Sequence, residues 1–259
     1  MTMPVGDHLR QWRQRRRMSQ LDLACEAEIS ARHLSFLETG RATPSREMIL
    51  HLCEQLAIPA RERNVLLVAA GYAPVFPERS LDDPGLAIAR AAIDQVLEGH
   101  RPYPAFAIDR RWNIVLSNNA LPGLYEGVAA DLMRPLVNAM RLSLHPQGLA
   151  PRIANLAEWR GHLLERLRQQ IDLTADRALI DLMRELEAYP APRPARRAGA
   201  EGPGMVVPLQ VRIGDGLLSF FSTTMVFGTP IDVTLSELAV ESFFPADAET
   251  AAAVRRMTA

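Results

Sequence analysis

The chain has 259 residues, which at roughly 150 residues per domain points to two domains. Its 48% hydrophobic and 23% charged residues exclude wholesale disorder. No apolar run approaches the roughly 18 residues needed to cross a bilayer. The start, MTMPVGDHLRQWRQRRR, is basic and polar with no apolar stretch behind it, so no signal peptide and no membrane association are expected, and a cytoplasmic location is. The net charge of -1 conceals an asymmetry: residues 1–46 carry eight arginines against five acidic residues, whereas residues 81–259 carry eighteen against twenty-one. A positive front suggests an anionic partner there. All 29 basic residues are arginine, so chemistry that needs an ε-amine (Schiff bases, covalent pyridoxal phosphate, the P-loop lysine) is excluded. Cys25 and Cys53 form no CxxC pair and lie in apolar helical patterns, so both are expected to be buried thiols. His51 lies close to Cys53, but no second pair completes a tetrahedral set, and no metal or cofactor is expected.

Residues 5–71 read as five short helices. Val5, Leu9 and Trp12 fall at i, i+4 and i+7 and form one apolar stripe. Ser19 opens the second helix, with Asp22 completing a capping-box-like Ser-x-x-Asp. Ser30 opens the third, with Leu34 and Leu37 inward, and Ser45 the fourth, where Ile49, Leu52, Cys53 and Leu56 keep the helical period. The fifth follows Pro59 and stops at Gly71. Pro74, Pro77 and Pro84 punctuate a connector, giving domains at 1–73 and 85–259 with 74–84 between them.

In the second domain, residues 86–98 look helical. Tyr103–Ile108 and Trp112–Ser117 look like short strands, and a helical tract covers about 152–188, where Leu156, Trp159, Leu163, Leu167 and Ile171 repeat at 3.6. Tyr189 to Gly204 reads as a mobile loop. Met205–Ile213, Leu217–Phe227 and Leu238–Phe244 are rich in Val, Phe and Leu, as expected of strands in one antiparallel sheet, with a hairpin turn at Gly214-Asp215-Gly216.

The stretch SQLDLACEAEISARHLSFLETGR (Ser19 to Arg41) is a candidate helix-turn-helix. Small Ala24 lets the two helices cross closely, Ile29 plugs the turn, and Leu34 with Leu37 anchors the second helix. Ala31, Arg32, His33, Ser35 and Phe36 are then left on its outer surface, near the end that enters a major groove in this geometry. Arg32 can give two parallel hydrogen bonds to guanine, and His33 can donate to a base edge or a phosphate. Phe36 either touches a thymine methyl or is packed. Gln20, Arg41 and Arg46 suit phosphate contacts. The run Arg13, Arg15, Arg16, Arg17 either tracks the duplex backbone or is a solvated helix end.

SARHLSFLETGR followed by SREMILHLCEQLAIPARERNVLLVAAGYAPVF resembles the XRE (Cro/C1-type) transcription regulators, in particular the branch with an MmyB-like ligand-binding domain. The resemblance implies base contacts from Ala31, Arg32, His33 and Phe36, and phosphate contacts from Gln20, Thr39 and Arg46. One departure is Glu28, where the family's turn usually has glycine; left-handed geometry there costs about 1 kcal/mol. MRLSLHPQGLAPRIANLAEW and SFFSTTMVFGTPIDVTLSELAVESFFPAD resemble the same family's sensor domain. This implies a PAS-like fold, an antiparallel sheet with helices over one face, and a hydrophobic pocket for a fatty-acid-like effector. The expected fold class is therefore an all-α five-helix helix-turn-helix domain followed by an α+β PAS-like domain.

The residues themselves allow such a pocket. Phe106, Trp112, Trp159, Phe220, Met225 and Phe243 lie on elements that would face one another, with Asn118, Asn138, Arg141, His145 and Arg160 as nearby polar groups. Arg141 or Arg160 could orient a carboxylate at the mouth, or pair with Asp131 or Glu158. The expected function is a DNA-binding regulator responding to a small hydrophobic ligand, acting as a homodimer on a palindromic operator. An enzyme is disfavoured: HExxH, GxSxG and GxxxxGK are absent, and His100, His145 and His162 stand alone. The alternative is a DNA-binding protein whose second half binds another protein, as an antitoxin does.

Overall fold

Three serines set the helix starts at the front of the chain. Ser19 Oγ accepts from the Asp22 backbone N–H at 3.1 Å, and Asp22 accepts in return from the Ser19 N–H at 2.8 Å. Ser30 and Ser45 each accept from the N–H three residues on. Orphan donors at the helix N-termini are satisfied in this way. The resulting helices are α1 (Val5–Arg15), α2 (Gln20–Glu26), α3 (Ala31–Glu38), α4 (Arg46–Gln55) and α5 (Ala60–Ala69). Gly71, at φ +85°, follows the last of them. The structure is a computed structural model that describes residues 3–118, 120, 122–190, 207–214, 216–228 and 232–258.

The chain divides into two compact units: Met1–Glu78 with Asp172–Ala175 and Ile231–Val233, and the remainder. In the first, Leu9, Leu23, Leu34, Leu37, Ile49, Leu52, Leu66 and Leu67 are fully buried in one core. Gly6 lets α1 lie directly on α3: a Cβ there would collide with the Leu37 carbonyl oxygen. Cys53 is buried in this core, and burial pushes its thiol up to about 12. Cys25 is exposed, contrary to the sequence expectation, because the face of α2 that packs inward is set by Leu23 and Ala24.

The second unit is built on a five-stranded antiparallel sheet, β1 (Ala105–Ile108), β2 (Ile114–Ser117), β3 (Leu209–Ile213), β4 (Gly216–Val226) and β5 (Ala239–Pro245), in the order β2-β1-β5-β4-β3. The β3–β4 pair closes at Ile213 opposite Gly216. Its helices are α6 (Ala87–Gly99), α7 (Ala139–Leu144), α8 (Leu156–Thr174), α9 (Arg177–Ala188), the single turn α10 (Val233–Ser236) and α11 (Ala248–Thr258). Alternation along the strands divides two cores. Phe106, Ile108, Val211, Phe220 and Phe243 pack in one cluster with Trp159, Leu163 and Leu167 of α8 and Leu179, Leu182 and Leu186 of α9. Ala105, Ala107 and Val240 pack instead against Ile93 and Leu97 of α6. Helices therefore cover both faces of the sheet, rather than the one face that the family resemblance implied.

The expected single helical tract over 152–188 is two helices. Ala175 takes φ +57°, and Asp176 then caps α9 by accepting from the Ala178 N–H at 2.9 Å. Met225, expected among the pocket aromatics, is 41% exposed on β4, since its neighbours in phase are Phe221 and Thr223 rather than Phe220 and Ser222. The loop expected over Tyr189 to Gly204 lies for the most part outside the described residues.

Candidate nucleic-acid interface and ligand cavity

α2 and α3 are joined through Glu28, which takes φ +52°, the left-handed turn position where glycine is usual. Ile29 follows and packs against the helical core. α3 buries Leu34, Leu37 and Glu38 and turns its other side outward. Arg32 is exposed there; Ala31, His33, Ser35 and Phe36 are half-buried. Phe36 lies between two cations, with the guanidinium carbons of Arg32 and Arg41 at 5.3 and 5.9 Å from its ring centre. Such contacts hold an arginine side chain in place, so Phe36 splays the two guanidiniums along one edge of the helix.

The expected phosphate-contacting residues differ in how free they are. Arg41 and Arg46 are exposed. Gln20 donates one amide N–H to Glu38 at 2.8 Å, which leaves the second. The Thr39 hydroxyl donates to the Ser35 carbonyl at 2.7 Å. Within the arginine run, Arg13 is buried against Glu38, and Arg16 donates to the carbonyls of Leu56 and Ala57 at 2.8 and 3.0 Å. Those two are structural and secure the ends of neighbouring helices, whereas Arg15 and Arg17 are exposed. The run is neither a uniform backbone track nor a uniformly solvated end.

In the second unit a small cavity of about 60 Å³ opens between the sheet and the helices. Phe106, Trp112, Trp159 and Phe243 from the expected set line it, together with Met140, Leu142 and Leu163. Trp112 reaches it from a left-handed backbone, φ +67°, fixed by its Nε1–H bond to Gln170 Oε1 at 2.7 Å. Trp159 Nε1–H donates to Ser143 Oγ at 2.9 Å. Phe220 packs in the same core, edge-on to Phe243, but is not among the residues that line the cavity.

The expected polar set is not at the cavity. Asn118 is 2% exposed; it accepts from the Ala105 N–H and donates to the carbonyls of Leu97 and Tyr103, pinning β1. Asn138 caps α7 and donates to the Arg111 carbonyl. Arg141 pairs with Glu185 through two bonds of 2.8 and 2.7 Å, and Asp131 pairs with Arg134. This bonding holds the Glu185 carboxyl below its ordinary value. His145 Nδ1 accepts from the Gln147 N–H, and its ring meets Tyr189 edge-on. Arg160 donates to the carbonyls of Leu186 and Glu187, the last turn of α9. These side chains hold the fold together around the cavity.

The polar groups that line the cavity are others: Tyr125, Ser143, Arg166, Ser222 and Glu241. Arg166 was detectable in principle, since it lies seven residues after Trp159 and three after Leu163 on the apolar face of α8. Tyr125 ends a four-residue 3₁₀ helix (Pro122–Tyr125), too short for periodicity to carry a signal.

A family model described as MmyB-like transcription regulator ligand binding domain matches residues 89–257, well over half of the chain. The chain belongs to the MmyB-like transcription regulators. A second model, described as Helix-turn-helix domain, matches residues 4–66, covering α1 to α4 and most of α5. Both families are regulatory rather than enzymatic. No curated protein matches the chain. Among the described residues there is no cluster of His, Cys, Asp or Glu that could hold a metal ion, and no helix is long and apolar enough to cross a membrane. A helix-turn-helix DNA-binding unit followed by a ligand-binding unit makes this MmyB-like protein a ligand-sensing transcription regulator.

Proposed function

We propose that the protein is a homodimer that reads a palindromic operator and releases or engages it when a small hydrophobic, fatty-acid-like effector enters the cavity of the second unit. The observation that carries this reading is the two-sidedness of α3: Leu34 and Leu37 are fully buried, while Arg32 and Phe36 face the other way, with Arg41 of the following turn brought over the same ring. Arg32 and His33 then read base edges, Ala31 and Phe36 approach thymine methyls, and Gln20, Thr39, Arg41 and Arg46 bind phosphates. Thr39 gives up its bond to Ser35 to do so. One helix-turn-helix reads too few bases for useful specificity, and two-fold symmetry places half-sites about 10 bp apart or a multiple of that.

The cavity supports the effector reading through its apolar lining. At about 60 Å³ it is well short of the roughly 300–1,000 Å³ of ordinary ligand sites, so an acyl chain enters by displacing lining side chains. The test is a gel shift on DNA upstream of the protein's own gene, with and without medium-chain fatty acids or their methyl esters. A retarded band whose affinity changes with the fatty acid is expected; no sequence-specific retardation overturns the DNA-reading assignment, and retardation indifferent to every hydrophobic addition overturns the effector.

A further inference from the structure

Among the polar groups that line the cavity, the Arg166–Glu241 pair and Tyr125 are unequally provided for. Arg166 and Glu241 are paired, with Nη2 to Oε1 at 2.6 Å and Nη1 to Oε2 at 3.3 Å. The Thr224 hydroxyl joins them, accepting from Arg166 at 3.0 Å and donating to Glu241 at 2.8 Å. The guanidinium also lies 4.8 Å over the Trp112 ring. The Glu241 side chain is 3% exposed. The cation at the wall is thus already neutralised.

Tyr125 differs. Its hydroxyl oxygen is buried and has no hydrogen-bond partner among the described residues, although the side chain lines the cavity. Burial pushes its ionisation far above the usual tyrosine range, so the phenol keeps its proton and remains a donor. A buried donor without an acceptor is costly to leave, and the cavity is the place from which an acceptor can come.

We infer that the cavity selects an apolar molecule bearing a neutral hydrogen-bond acceptor (the carbonyl of an ester, amide or ketone), which takes the Tyr125 hydroxyl, over one bearing an ionised carboxylate. The inference rests on the cavity being the effector site. An ionised carboxylate would arrive where Glu241 already occupies Arg166, leaving one uncompensated negative charge in a buried, weakly screened place. A neutral carbonyl satisfies Tyr125 and adds no charge.

The test titrates the full chain at pH 8, where decanoate is ionised, with methyl decanoate, decanoate and undecane. The reporter is tryptophan emission, since Trp112 and Trp159 line the cavity. Methyl decanoate is expected to bind at least about tenfold more tightly than decanoate. Tyr125→Phe is expected to weaken the ester by about three- to tenfold, the range of one neutral hydrogen bond, and to leave undecane unchanged. Without ligand the same variant should melt at or above the wild-type temperature, because it removes an unsatisfied hydroxyl. Glu241→Gln, which frees Arg166, should tighten decanoate. Decanoate binding as tightly as the ester, or an ester indifferent to Tyr125→Phe, overturns the head-group inference while leaving the effector site standing. Failure of all three molecules, undecane included, overturns the effector site itself.

Discussion

Arg13 and Glu38 form a two-point ion pair, Nε to Oε1 at 2.6 Å and Nη2 to Oε2 at 2.9 Å, that ties α1 to the last turn of α3. Their side chains are 9% and 1% exposed. Gln20 of α2 adds its amide to the same carboxylate, so one glutamate joins all three helices that seat the DNA-reading surface.

Removing one member strands the other. Arg13→Ala is expected to destabilise the helical unit by about 3–5 kcal/mol, the usual cost of an uncompensated buried charge. The double variant Arg13→Met, Glu38→Met should recover much of that loss. Urea denaturation followed by circular dichroism measures both; an Arg13→Ala chain as stable as wild type contradicts the buried pairing.

The turn before α3 holds a residue that geometry disfavours. Glu28→Gly relieves a left-handed conformation that costs a side-chain-bearing residue about 1–2 kcal/mol. It also adds unfolded-state freedom of about 0.4–1 kcal/mol. A net gain of about 0.5–1 kcal/mol is expected, read as a higher urea midpoint with an unchanged slope.

On DNA the arginines around Phe36 should separate by role. Arg32→Ala is expected to cost about 1–3 kcal/mol on the operator and relax specificity at one base pair, whereas Arg46→Ala should weaken all sequences alike and lower the salt slope by about one. Phe36→Ala, which releases both flanking guanidiniums, should affect specificity more than Arg46→Ala does. Binding titrations at several salt concentrations on operator and scrambled DNA distinguish these outcomes.

The second unit carries a pH-sensitive contact. Arg141, with help from the Tyr189 hydroxyl, holds the Glu185 carboxyl below its ordinary value of 4.5. A depressed carboxyl stabilises the fold above its unfolded pKa, and that contribution is lost as pH falls through the lower folded value. Wild type should therefore outmelt Glu185→Gln at neutral pH, with the gap narrowing below 4.5 and closing in stronger acid. Arg141 and Glu185 are 42% and 37% exposed, so the gap should stay within about 1 kcal/mol. A gap that grows on acidification contradicts the assignment.

Local signals made much of this architecture legible. Ser19, Ser30 and Ser45 announced their helices because a capping serine acts within one turn, and the turn was placed by Ile29 and the family pattern, with Glu28 standing where glycine is usual. Enrichment in Val, Phe and Leu likewise located β4 and β5. Long-range pairing was less accessible. Arg13 was read as either a phosphate contact or a solvated helix end because its partner lies twenty-five residues away, although its phase beside Leu9 and Trp12 placed a charge on a buried stripe. Asn118 and Asn138 were read as polar groups beside a pocket, but whether such a group faces a ligand or a backbone carbonyl depends on the neighbouring chain. The helices α7 and α11 went unread. For α11 a signal existed in Asp247, which accepts from the Thr250 N–H at 2.6 Å ahead of an alanine-rich run.

The missing side chain at Gly6 has a mechanical consequence. With α1 seated on the carbonyls of Leu37 and Glu38 and clamped beside them through Arg13, α3 is held at two points against its neighbour. A side chain larger than hydrogen at this position would prise α1 off α3 and slacken the Arg13–Glu38 clamp with it.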